Sequence, residues 1–183
     1  MTEPITGIPF RASALSAKYE RLGPLPVSAL LDSVRSLYNV GAFFRTLDAA
    51  GATHLYLAGI TAAPPHAKLA KTALGSEQTV NWTRVHDVVK AIGELQAQQV
   101  TVAAIETTSS AVDLFDWRPQ FPVCVIFGHE VDGLSQAVLE ACDVRVRIPM
   151  LGRKSSLNVA TAGGIVIYEL LRQYRELHQA GRR

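Results

Sequence analysis

The sequence predicts an α/β fold: a mostly parallel sheet flanked by helices. Three observations lead there. Short apolar runs alternate with longer helical stretches along the chain, which is the pattern of strands joined by crossover helices. Most of the runs are continuously apolar, as expected of strands covered on both faces. Residues of apolar type make up 48% of the chain and charged residues 19%, against about 25% charged in an average globular protein. That balance requires a large interior, or an interface that removes further surface.

Taken in order, the strands are expected at 27–32 (VSALLD), 54–59 (HLYLAG), 78–82 (QTVNW), 100–105 (VTVAAI), 122–128 (PVCVIFG) and 144–149 (VRVRIP). Each is a short aliphatic or aromatic run. Helices are expected at Val40–Ala50, His66–Ala73, Val85–Gln98, Ser135–Cys142 and Leu157–Gln179. The chain of 183 residues fits one domain, residues 1–183, with residues 1–26 as a short N-terminal extension. No linker, low-complexity tract or solenoid repeat interrupts it.

Composition narrows the function classes. The two cysteines, Cys124 and Cys142, sit in or beside apolar runs without metal-ligand spacing, as buried thiols of a reducing compartment do. The N-terminus has no signal-peptide pattern. The longest weakly polar stretch, Val159 to Tyr168, is well short of the roughly 18 residues of a membrane span. A cytoplasmic protein without membrane partners is expected. The net charge of +2 is mild, but Arg145, Arg147, Arg153 and Lys154 cluster, Arg172, Arg175, Arg182 and Arg183 load the C-terminal end, and Arg11, Lys18 and Arg21 the start. Such clusters suit contacts with phosphates; for the tail, a favourable helix C-terminus explains them equally well.

In sheets of this kind, ligands lie beyond the carboxyl ends of the strands. Three loops there are rich in Gly, Asn, Ser or charge: 38–41, 128–133 and 149–156. Known nucleotide and metal motifs do not account for them. Gly152-Arg153-Lys154-Ser155 lacks the spacing of a Walker A loop, and His129-Glu130 is followed by Gly133 where a zinc protease has its second histidine. No G-x-G-x-x-G follows a strand, no G-x-S-x-G elbow occurs, and the five histidines are scattered. No metal is expected.

The three loops, in order, resemble the three motifs of the SpoU/TrmH-type RNA methyltransferases of the SPOUT superfamily. The first, N-x-G-x-x-x-R, is matched by Asn39 through Arg45; the second, F-G-x-E-x-x-G-L, by Phe127 through Leu134; the third, I-P-M-x-G-x-x-x-S-L-N-V, by Ile148 through Val159. Lys71-Thr72-Ala73-Leu74-Gly75 is also similar to the family's habit. The resemblance implies a C-terminal trefoil knot, bound S-adenosylmethionine, a homodimer, and methyl transfer to a ribose 2′-hydroxyl of structured RNA, tRNA ahead of rRNA. A non-catalytic RNA-binding or assembly protein with the same knot is the alternative.

For the reaction, the resemblance implies Arg45, Asn39, Glu130, Ser156 and Asn158. Arg45 answers to the acceptor hydroxyl. A guanidinium presents donors only and stays charged, so holding a phosphate and a developing alkoxide suits it better than removing a proton; the plain alternative is an i,i+3 pair with Asp48. Asn39 is either a helix N-cap, a polar contact at the site or subunit interface, or both. Gly41, in the helix's first turn, implies close approach of another chain or a ligand. Glu130 either receives donors from a partner loop, orients Asn39, binds the cofactor's polar end, or is a solvated loop acid. Ser155 or Ser156 is expected to cap the final helix, with Ser156 also able to meet the cofactor. For cofactor binding the resemblance implies Ile105, Glu106, Thr107, Gly128, Ile148, Met150, Ser156 and Leu157. RNA recognition is then left to the dimer surface, the basic segments or a partner protein.

Overall fold

A computed structural model describes residues 23–180, with side chains as far as His178. Most of the expected N-terminal extension, with Arg11, Lys18 and Arg21, and the terminal Arg182 and Arg183 lie outside the described residues. The elements are β1 (Leu25–Asp32), α1 (Leu37–Ala50), β2 (Ala52–Ala58), α2 (Ala67–Ala73), a 3₁₀ turn (Ser76–Gln78), β3 (Trp82–Val85), α3 (Val88–Ala97), β4 (Thr101–Ile105), β5 (Val112–Asp113), β6 (Val123–Phe127), α4 (Gln136–Ala141), β7 (Val144–Arg147) and α5 (Val159–Ala180). The strands form one seven-stranded sheet in the order β3-β2-β1-β6-β4-β7-β5. Every strand pairing in it is parallel.

The continuous apolar runs have a direct explanation in the layers. All five residues of β6 are buried. Its Val123, Val125 and Phe127 join the core that includes α1 and α5, while Cys124 and Ile126 join the core beneath α3 and α4. A strand with a hydrophobic layer on each face has no polar side to show. Phe43 on α1 packs on Phe127 with ring centroids 5.0 Å apart, and Val166, Ile167 and Leu170 of α5 complete that side. Both cysteines are free thiols; burial pushes Cys124 and Cys142 each up to about 12, so they act as small apolar fillers.

The sequence places most elements within a few residues, but β3 is displaced. Instead of starting at 78, it starts at Trp82, because residues 76–78 form a 3₁₀ turn. β3 is an edge strand with Thr83 and Arg84 exposed, so it shows no continuous apolar run. The helix expected from Val85 starts at Val88, capped by Asp87. β5, two residues long, has no counterpart in the expectations. No helix among the described residues is long and apolar enough to cross a membrane.

Two caps differ from expectation. Ser36, not Asn39, caps α1, its hydroxyl accepting the Asn39 amide at 3.4 Å. Neither Ser155 nor Ser156 caps α5: Asn158 does, its Oδ1 accepting the amides of Ala160 (3.0 Å) and Thr161 (3.2 Å). The reason for Gly41 is also internal to the chain. A Cβ at this position would stand 2.7 Å from Thr72 Cβ and 2.9 Å from the Leu69 carbonyl oxygen, so α2 fills the space that another chain or a ligand was expected to occupy.

Candidate active site

The strand order turns between β1 and β6. From β1 the chain builds outward through β2 to β3; β6 and β4 lie on the other side. Loops leaving the carboxyl ends of β1 and β6 therefore diverge, and a crevice opens between them. Glu130, in the loop after β6, spans it. Its carboxylate accepts the backbone amides of Arg35 (3.0 Å) and Ser36 (3.1 Å) and the side-chain amide of Asn39 (3.0 Å). Asn158 Nδ2 donates to Asn39 Oδ1 at 3.1 Å. One residue from each of the three sequence motifs thus belongs to a single hydrogen-bonded chain.

The polarity of this chain is fixed from one end. The α5 amides require Asn158 to present Oδ1 to them, which turns its Nδ2 toward Asn39. Asn39 must then accept with Oδ1 and donate with Nδ2, and Glu130 must accept. Partial burial by itself would raise the Glu130 pKa, but the donors from Arg35, Ser36, its own backbone amide and Asn39 outweigh it and hold the carboxyl below its ordinary value. Of the alternatives open from sequence, Glu130 orients Asn39.

The loop carrying Glu130 is itself braced. A Cβ on Gly128 would lie 2.5 Å from the Gly133 carbonyl carbon and 2.7 Å from the Leu134 nitrogen. His129 and Gly133 form an antiparallel bridge, and His129 Nδ1 accepts the amides of Val131 (3.3 Å) and Asp132 (3.1 Å). From β4, Glu106 reaches across to accept the Leu134 amide at 3.1 Å and also takes that of Thr107 at 3.0 Å. Gly128 and Glu106, both expected at the cofactor, also brace the Glu130 loop.

The remaining expected residues divide. Thr107, Ile148 and Met150 line a cavity of about 440 Å³, together with Asp113, Arg147, Arg153 and Lys154. Ile105, Ser156 and Leu157 do not line it. Ser156 is exposed and makes no hydrogen bond among the described residues. Arg45 is exposed as well, with no partner among the described residues; Asp48, its alternative mate, accepts instead from Thr79 Oγ1 at 2.6 Å. At 3.6 residues per turn, Arg45 stands about 120° around α1 from Asn39 and roughly 9 Å along it, so the hydrogen-bonded chain does not include it. Sequence reasoning missed the amides of Arg35 and Ser36 as well as Asp113. Backbone donors leave no side-chain signature; Asp113 lies in a two-residue strand without one. Among the described residues no group of three or more His, Cys, Asp or Glu is gathered to hold a metal.

Residues 26–168 match the SpoU rRNA Methylase family. The chain belongs to this family. It is 34% identical over 149 residues to the 23S rRNA (guanosine-2′-O-)-methyltransferase RlmB of Vibrio parahaemolyticus, a match covering 81% of this chain and 60% of that protein. The crystal structure of the SpoU methyltransferase AviRb from Streptomyces viridochromogenes, in complex with the cofactor AdoMet, is similar with a TM-score of 0.73 and 31% identity, over 80% of this chain and 59% of the other. The A. aeolicus TrmH/SpoU tRNA modifying enzyme gives a TM-score of 0.77 at 26% identity, over 91% of this chain and 87% of the other. The chain spans about 60% of the length of the curated relatives it matches.

Proposed function

We propose that this SpoU-family chain transfers the methyl group of S-adenosylmethionine to a ribose 2′-hydroxyl of structured RNA. The observation that carries the reading is the hydrogen-bonded chain Glu130–Asn39–Asn158, which joins all three family motifs beside one crevice. The neighbouring cavity fits the cofactor by its chemistry: its volume of about 440 Å³ falls in the range of small-molecule sites, roughly 300–1,000 Å³. Ile148 and Met150 offer an apolar wall for adenine, and Thr107, Asp113 and Arg147 offer polar groups for the rest. When bound, the cofactor supplies a methyl group already activated on a positive sulfur.

The chain's own residues then have three tasks. The Glu130 network fixes the start of α1, and with it the bearing of Arg45. Arg45 holds the acceptor nucleotide's phosphate and stabilises negative charge developing on the ribose oxygen. Holding the two reactants in line contributes the remainder, since orientation alone is worth about 7–11 kcal/mol. Because Arg45 and Asn39 face apart on one helix, the reading includes a homodimer in which Arg45 serves a site shared with a second copy. It also includes the trefoil knot: β6 lies on one side of β4 and β7 on the other, inserted between β4 and β5, which supports a trace that crosses itself.

The relatives give tRNA no precedence over rRNA, since one is named for 23S rRNA and another for tRNA. Tritium transfer from labelled S-adenosylmethionine to total tRNA and, separately, to ribosomal RNA from a strain lacking the gene decides it. Digestion to 2′-O-methyl nucleosides from one pool is the expected result; label on a base overturns the reaction class. Arg45→Ala is expected to lower the transfer rate about 100- to 1,000-fold with cofactor affinity unchanged, and a rate within a few-fold of the parent removes Arg45 from the acceptor site.

A further inference from the structure

The solvent-facing surface over α1 and α2 carries cations that belong to none of the basic clusters evident in the sequence. Gly41 meets Leu69, Thr72 and Ala73 of α2 at backbone distance, and Asp48, two turns later, meets Thr79. The segment from α2 through the 3₁₀ turn to Thr79 therefore follows α1 in the same direction and is held against it along a seam. Arg45 stands one turn beyond Gly41 on the same flank of α1. Lys68 and Lys71, three residues apart, share the solvent-facing side of α2, Lys68 flanking Thr72 and Lys71 turned further from α1. All three side chains are exposed and have no hydrogen-bond or ion-pair partner among the described residues.

The acids nearby are already engaged. Asp48 takes the Thr79 hydroxyl, and Glu77 takes the Gly75 amide at 3.0 Å. Both lie past Arg45 along the seam, toward the amino ends of the strands. Lys68 opens α2 at the opposite end, where Glu130 and Asn158 meet α1. The seam is thus polarised, with its basic end at the crevice. By the rise of 1.5 Å per residue, Lys68 and Arg45 are roughly 10 Å apart along it. That spacing suits successive phosphates of one strand better than a single small anion.

The geometry points to α2 as one wall of the RNA-binding surface, with Lys68 and Lys71 holding backbone phosphates of the strand whose ribose is presented at Arg45. This rests on the RNA-methyltransferase reading above. Contacts of this kind set affinity and position without reading bases, and each phosphate neutralised makes binding more salt-dependent. Neither lysine touches the hydrogen-bonded chain or the cavity.

The test compares the full-length protein with its K68E/K71E and K68R/K71R variants, using a fluorescein-labelled RNA hairpin with a single-stranded loop. Binding is followed by anisotropy from 50 to 200 mM KCl, and methyl transfer to ribosomal RNA and tRNA is assayed in parallel. The charge reversal is expected to weaken binding at least tenfold at low salt. It should also make the log–log salt dependence shallower by about 1.4, two phosphates at about 0.7 each, and leave labelled S-adenosylmethionine binding unchanged. The arginine pair is expected to restore RNA affinity. Parent-like affinity and salt slope in K68E/K71E overturn the proposal, as does loss of cofactor binding in step with loss of RNA, which would mark general damage. A parent protein that binds RNA through these lysines yet methylates neither pool leaves the wall standing and removes the methyltransferase reading. A parent that binds no RNA removes both.

Discussion

The loops after β6 and β7 leave the same end of the sheet and are built in opposite ways. Residues 128–134 are held at almost every position: the backbone closes on itself at Gly128 and Gly133, Glu106 takes the Leu134 amide, and Glu130 is tied to the loop after β1. Residues 148–157 make no hydrogen bond among the described residues, and positions 151–158 are all exposed, Leu151 completely. Only at Asn158 does the second loop join the network. The contrast assigns them different work. The first loop is a braced scaffold for α1, whereas the second is exposed and makes few contacts of its own.

The strongest way to break this comparison is to overfill the braced loop. Gly128→Ala puts a methyl group 2.5 Å from backbone, which cannot yield as a flexible side chain would, and a loss of about 3 kcal/mol is expected from urea denaturation. A variant as stable as the parent would show that the loop relaxes freely. Next comes Glu130→Ala, which removes the acceptor of the Arg35, Ser36 and Asn39 amides; these are exposed to water, so a cost of about 1 kcal/mol is expected.

The same carboxylate predicts a pH dependence. Glu130 is held below its ordinary value of 4.5, so the unfolded chain takes up its proton at higher pH than the native state does. Its contribution is therefore complete above the ordinary carboxylate range and disappears as pH falls through the lowered native value. Denaturation midpoints measured from pH 6 to pH 3 should fall less steeply in Glu130→Gln than in the parent; parallel curves would detach Glu130 from acid sensitivity. The smallest effects belong to the open loop. At Gly152 an added Cβ meets nothing within 4 Å, and Gly152→Ala should change stability by less than about 0.5 kcal/mol. Trypsin should cut between residues 153 and 155 early, and S-adenosylmethionine should slow that cut; cleavage indifferent to the cofactor would separate this loop from the cavity.

What was legible in the sequence divides along physical lines. β1, β4 and β6 announced themselves because strands buried on both faces must be apolar nearly throughout, as Val123–Phe127 is. β3 did not, because an edge strand tolerates Thr83 and Arg84 and so carries no continuous apolar run to mark its bounds. Within the site, the motifs selected Asn39, Glu130 and Asn158, yet their connections stayed hidden. Two of Glu130's three partner residues, Arg35 and Ser36, act through backbone amides, and any residue type has one. Glu106 shows the same: its acceptance of the Leu134 and Thr107 amides has no side-chain signature in sequence.

The pairing of β1 with β6 has a consequence for how the chain is made. Ser28 and Val123, joined by a hydrogen bond across these strands, are 95 residues apart in sequence. During synthesis β1 emerges first and can acquire β2 as a neighbour, while its other edge waits for most of the domain to follow. Until then a strand of aliphatic residues presents an unsatisfied edge to anything that will pair with it. An interior strand of the finished sheet is thus the one exposed longest to the wrong partners, and protection of the nascent chain matters most at β1.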